Sequence, residues 1–96
     1  MEPSAEAIDR AARLFRAVGD PARLRLLAYL SSGEACVSEI AQATSEQIST
    51  VSQRLRVLRS ENLVARRRSG KHINYTLADR HIAELVGNAL EHVAEA

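Results

Sequence analysis

Thr44-Ser45-Glu46-Gln47-Ile48-Ser49-Thr50-Val51-Ser52-Gln53-Arg54-Leu55-Arg56-Val57-Leu58 decides the fold together with Val64-Ala65-Arg66-Arg67-Arg68-Ser69-Gly70-Lys71-His72-Ile73-Asn74-Tyr75-Thr76-Leu77. In the first stretch Ile48, Val51, Leu55 and Leu58 recur at helical spacing and are expected to point inward. That leaves Ser49, Thr50, Ser52, Gln53, Arg54 and Arg56 for the outer face. A capping box is expected ahead of them, with Thr44 reaching the third-residue amide, Gln47 reaching back, and Ala43 and Ile48 as the hydrophobic staple. Short hydroxyls with Gln and Arg, on a helix that follows a tight turn, suit a recognition helix in the DNA major groove. Small residues there permit close approach, and Gln or Arg reads adenine or guanine edges. In the second stretch the period changes to two, around Ser69-Gly70, which predicts a β-hairpin with a basic tip. Val64, Ile73, Tyr75 and Leu77 are expected to face the core, while Arg66, Arg68 and Lys71 reach phosphates or the minor groove. A helix-turn-helix followed by a basic hairpin is a winged helix.

Charge distribution supports a polyanion-binding middle. The formal net charge is only +1, but from Ser49 to His72 seven basic residues stand against the single acid Glu61, a local net of +6. The segments on either side carry net charges of −2 and −3.

Upstream, the punctuation divides the chain into short helices. A first helix running to about Ala17 carries Ile8, Ala11, Ala12 and Phe15 on one stripe and stops at Gly19. Asp20-Pro21 restarts the chain in N-cap and first-turn order. Leu24, Leu27 and Leu30, with Tyr29 nearby, are expected to form the buried face of the second helix. A third covers about Ser38–Ala43 with Ile40 and Ala41 inward.

The last helix carries Asp79-x-His81 and His92-x-x-Glu95. Positions eleven apart return to within about 20° of the same direction, so His81 and His92 face the same way. Along the axis they stand roughly 16 Å apart, whereas zinc ligands lie within about 2.0–2.2 Å of the ion. One chain cannot close such a site, but an antiparallel copy of the helix can, bringing Asp79 and His81 of one subunit to His92 and Glu95 of the other. Two nitrogens and two carboxylate oxygens suit tetrahedral zinc, with cobalt as a substitute. Spacing alone leaves a second reading open: Asp79 caps the helix ahead of Ile82, Leu85, Val86, Ala89, Leu90 and Val93, and the others are solvated polar residues.

At 96 residues the chain is expected to be one domain, 1–96, with a dimerising and metal-binding C-terminal helix at 79–95. The expected architecture is mainly α with a small β-hairpin, a homodimer through the first and last helices. No apolar run approaches the roughly 20 residues that span a bilayer, and no secretory leader is evident, so a cytoplasmic location without membrane contact is expected. The single cysteine, Cys36, excludes an intrachain disulfide. It is expected to be a small buried hydrophobe. A metalloenzyme is disfavoured because four protein ligands leave no open position for water. With only Phe15, Tyr29 and Tyr75 as aromatics, a base-stacking platform for single strands is absent too.

Between Leu14 and Glu95 the chain resembles the ArsR/SmtB family of bacterial metal-responsive transcriptional repressors. The segments Leu14-Phe15-Arg16-Ala17-Val18-Gly19-Asp20-Pro21-Ala22-Arg23-Leu24-Arg25-Leu26-Leu27, Glu34-Ala35-Cys36-Val37-Ser38-Glu39-Ile40 and Ser69-Gly70-Lys71-His72-Ile73-Asn74-Tyr75 carry the likeness. The resemblance implies an apo dimer that represses from double-stranded operator DNA and is released by metal. It also implies a C-terminal-helix zinc site at Asp79, His81, His92 and Glu95, with His92 bonded to a backbone carbonyl near Asn62. Cys36-Val37-Ser38 departs from the paired cysteines of soft-metal sensors. Gln53-Arg54 and Glu46-Gln47-Ile48 depart from the usual recognition helix and turn. The alternative within the same fold is a repressor that does not sense metal through its last helix. His72, beside Lys71, is left as a DNA contact rather than a ligand.

Overall fold

Three helices of the chain start on a side-chain oxygen that caps the third residue on. Ser4 Oγ accepts from the Ala7 amide, Asp20 Oδ2 from Arg23 and Asp79 Oδ1 from Ile82, each at 3.0 Å. The computed structural model describes residues 2–95 and orders them as α1 (Ala5–Val18), α2 (Pro21–Leu30), β1 (Ala35–Cys36), α3 (Val37–Thr44), α4 (Ile48–Ser60), β2 (Val64–Ser69), β3 (His72–Leu77) and α5 (Arg80–Ala94). The expected mainly helical winged helix-turn-helix is the observed architecture. The antiparallel sheet has the order β1-β3-β2, and its two-residue strand β1 had no signature in the sequence.

Between α1 and α2 the chain turns within two residues. The Gly19 amide donates to Phe15 O at 2.9 Å, Pro21 sits in the first turn of α2, and Arg23 Nε donates back to Ala17 O at 2.8 Å. Carbonyls left over at the end of α1 are thereby satisfied.

The turn of the helix-turn-helix is built differently from the expected capping box. Thr44 closes α3 and its hydroxyl donates back to Ile40 O at 2.8 Å, while Ser45 takes the left-handed conformation (φ 56°). The Glu46 amide then donates to Ala41 O at 3.0 Å, a C-terminal cap of α3 rather than an N-terminal cap of α4. Gln47 occupies the N-cap of α4 without a side-chain hydrogen bond. Two residues that cap the end of one helix are not free to open the next. The same device recurs after α4: Asn62 is left-handed (φ 59°) and the Leu63 amide reaches Leu58 O at 2.8 Å.

The core is aliphatic. Leu26, Leu27, Ile40, Val51, Leu55, Leu58, Leu63 and Val86 are its most deeply buried side chains, with Tyr75 and Ile82 beside them. On α2 the buried face is Leu26, Leu27 and Leu30; Leu24 is half-buried, and Tyr29 lies at the exposed edge. The apolar stripe of α1 is largely uncovered in the protomer. Leu14, Ala17 and Val18 face α2 and the core, whereas Ile8 and Phe15 are exposed, Phe15 by 58%. On α5 likewise Ile82 and Val86 are buried, but Ala89, Leu90 and Val93 are not, Val93 being 64% exposed. Periodicity identified both apolar faces correctly; nothing in one protomer covers their outer ends.

Candidate DNA interface and metal half-sites

Helix α4 presents its inner face through Val51, Leu55 and Leu58, all fully buried. Ser49, Gln53 and Arg56 are exposed and Thr50 and Ser52 half-buried, so these five candidates remain available on its outer side. Two residues are not where the spacing put them. Ile48, expected inward as a staple, is 56% exposed, because as the first residue of the helix it stands beyond the body that covers Val51. Arg54 is turned aside: its Nη2 donates to Glu46 Oε2 at 2.7 Å, its side chain is only 26% exposed, and its Nε is buried without a partner. No helical spacing links residues eight apart across a turn, so sequence periodicity had no means of finding that pair.

The wing is a hairpin with a two-residue connection, Gly70-Lys71, between Ser69 and its partner His72. Gly70 has φ 63°, and Lys71 is not among the residues with positive φ, which is the pattern of a type II′ turn with glycine first. Directly opposed residues share a face in an antiparallel ladder. Val64 pairs with Leu77, Arg66 with Tyr75 and Arg68 with Ile73, so Arg66 and Arg68 lie on the same face as the apolar residues rather than opposite them. They are exposed all the same, as is Lys71, because the hairpin extends past the body. Arg67, on the other face, donates from Nη2 to both carboxylate oxygens of Glu34. That hydrogen bond and the charge of Glu34 raise the Arg67 pKa. The middle arginine is thus a strap to the segment before β1, and its partner lies 33 residues away, beyond any local sequence signal.

Cys36 is half-buried at the N-cap of α3 rather than in the core. Its amide donates to Glu39 Oε1 at 2.9 Å and its Sγ lies 3.2 Å from Ser38 Oγ. The amide of Cys36, followed by its thiol, holds the Glu39 carboxyl below the usual glutamate range, with a smaller contribution from nearby His72. His72 is exposed on the wing.

At the start of α5 Asp79 and His81 stand together: His81 Nδ1 lies 3.8 Å from Asp79 Oδ1, the same oxygen that caps the helix. Both are well exposed and line an open cleft of about 410 Å³ with Arg10, Arg13, Glu61 and Asn62. His92 is exposed in the last turn of α5 and Glu95 is its C-cap residue. Within the protomer it is His81, not His92, that shares a cleft with Asn62. Among the described residues no three His, Cys, Asp or Glu side chains are grouped to hold a metal within one chain. The structure therefore brings together only Asp79 and His81; His92 and Glu95 lie at the opposite end of the same helix, in its last turn and at its C-cap.

Comparison with known proteins agrees with this architecture. Residues 20–66, from the cap of α2 into the wing, match the model of the bacterial regulatory protein, arsR family. A transcriptional repressor SmtB homologue from Synechocystis is 40% identical over 99% of this chain and 74% of its own length. A cadmium resistance transcriptional regulatory protein, a CadC homologue from Staphylococcus aureus, is 34% identical over 88% of this chain and 70% of its own. Among solved structures, the homodimeric winged helix-turn-helix DNA-binding domain from Mycobacterium bovis superimposes with a TM-score of 0.86 at 33% identity, covering 99% of this chain and 91% of that one. These relatives are transcriptional regulators and not enzymes, and no described helix is long and apolar enough to cross a membrane. By fold, motif order and relatedness, the chain belongs to the ArsR/SmtB family of bacterial transcriptional repressors.

Proposed function

We propose that the protein is a cytoplasmic, zinc-responsive repressor that binds double-stranded operator DNA as a metal-free homodimer and is released when Zn²⁺, or Co²⁺ in its place, binds between subunits. The observation that carries this reading is the Asp79–His81 pair at the start of α5, with exposed His92 and Glu95 at its other end, on a helix whose outer apolar residues Leu90 and Val93 lack cover in the protomer. Together with Ile8 and Phe15 of α1, those residues supply the apolar surface of a dimer seam, in keeping with the homodimeric relative. Across a two-fold axis, Asp79 and His81 of one protomer meet His92 and Glu95 of its partner, twice.

The donor set fits zinc: two imidazole nitrogens and two carboxylate oxygens make a closed four-coordinate site. When bound, the ion would cross-link the two α5 helices. Ser49, Thr50, Ser52, Gln53 and Arg56 face the major groove, Arg66, Arg68 and Lys71 bind the backbone beside it, and Arg54 supports the helix from its pair with Glu46. Because two recognition helices must sit about one duplex turn apart, a seam held at another spacing lowers DNA affinity, and linkage makes DNA lower zinc affinity by the same factor. The single half-buried Cys36 supplies no paired thiolates for a soft metal.

A repressor that does not sense metal through α5 is the second reading, favoured by the engagement of Asp79 Oδ1 as a helix cap. Fluorescence anisotropy of the dimer on its own promoter DNA, titrated with zinc and then chelator at fixed salt, separates the two. Chelator-reversible release is expected, abolished by His92→Asn with metal-free binding intact. Tight binding indifferent to zinc would leave the repressor and remove the sensor.

A further inference from the structure

Ile48 is a branched aliphatic side chain, 56% exposed, at the first position of the recognition helix. Ser49 beside it is exposed, and Ser52, one turn on and on the same side, is half-buried. A single exposed aliphatic residue on a protein surface is ordinarily uninformative. This one stands among hydroxyls at the end of the helix from which base edges are contacted, immediately ahead of the basic segment Ser49–His72. It neither donates nor accepts a hydrogen bond, so it has nothing to offer guanine, adenine or cytosine edges. The only apolar group that a base pair shows in the major groove is the C5 methyl of thymine.

We propose that Ile48 is a specificity-determining residue that packs against a thymine methyl in each operator half-site. This rests on the reading of the protein as a double-stranded DNA binder and adds the base it selects. Covering the methyl removes apolar surface from water on both partners. Placing cytosine there instead would remove the methyl and leave the side chain without an apolar partner.

The test uses the full-length dimer and a duplex recovered by binding selection from random sequence, with anisotropy titrations at fixed salt. Each thymine is replaced in turn by deoxyuridine, which removes the methyl and leaves every hydrogen-bonding group in place. The wild type is expected to lose about four-fold in affinity at one thymine per half-site, the factor corresponding to about 0.8 kcal/mol for one buried methyl group. Ile48→Ala, which removes the contact from both half-sites at once, is expected to lose about sixteen-fold on the parent duplex and to respond no further to that replacement, with Ile48→Val intermediate. Indifference of the wild type to every deoxyuridine, or an Ile48→Ala variant as sensitive as the wild type, would overturn the assignment while leaving DNA binding in place. Failure to select any duplex would overturn both.

Discussion

Arg54 of the recognition helix is held 2.7 Å from Glu46 of the preceding turn, so one of the two arginines expected on the outer face of that helix is tied to the turn ahead of it. The ion pair, made by Nη2, is about three-quarters covered, and the Arg54 Nε is buried without a partner. Removing the acid leaves a covered guanidinium without its counter-charge. Glu46→Ala should therefore lower stability by about 1–2 kcal/mol, after allowance for residual solvent screening. Arg54→Met, which removes the charge along with its need for a partner, should cost less. Urea unfolding of the two variants checks the order; equal stability of Glu46→Ala and the wild type would show that the pair contributes nothing.

Asp79 has two roles that substitution can separate. Asparagine caps a helix as well as aspartate but brings no negative charge to a metal site, so Asp79→Asn should unfold like the wild type yet lose the zinc-induced release of DNA. Asp79→Ala should lose both, with a stability cost of about 1 kcal/mol. Thermal melts beside metal-dependent anisotropy distinguish them, and an Asp79→Asn protein that still responds fully to zinc would remove Asp79 from the ligand set.

Phe15 and Val93 are the most exposed large apolar side chains of α1 and α5. A charge placed at either should turn a dimer into monomers without touching the protomer's core. Analytical ultracentrifugation of Phe15→Asp and Val93→Asp should show the smaller species at concentrations where the wild type is dimeric. By contrast Leu27→Ala, at a fully buried position, should cost about 2–5 kcal/mol of folding stability. A Phe15→Asp protein with unchanged mass would place the seam elsewhere.

Glu39 accepts the Cys36 amide and titrates below the usual glutamate range. A carboxyl whose folded pKa is depressed adds stability that is present above its unfolded pKa and lost as pH falls through the folded one. The N-terminal turn of α3 should therefore hold at neutral pH and loosen only on acidification below the ordinary glutamate midpoint. Side-chain NMR titration of Glu39 measures this directly, and Glu39→Gln should abolish the titration while retaining an acceptor for the amide. An ordinary glutamate midpoint would contradict the structure.

The sequence by itself determined the sheet and helix classes and the polar outer face of α4, because those follow from local periods: 3.6 residues around Val51, Leu55 and Leu58, two residues along Val64 to Leu77. It also determined that His81 and His92 are too far apart for one ion, since the rise of a helix does not depend on its surroundings. Only the tertiary structure decided what stands opposite each face. Period gives an angle about a helix axis but not the presence of a neighbour, so Ile48, expected inward, and Phe15, Leu90 and Val93, placed on apolar stripes, are all exposed in the protomer. The pairs Arg54 with Glu46 and Arg67 with Glu34 arise for the same reason. They join residues that approach only after the turn and the sheet have formed, and the charges that looked free in the chain are shared out by that approach.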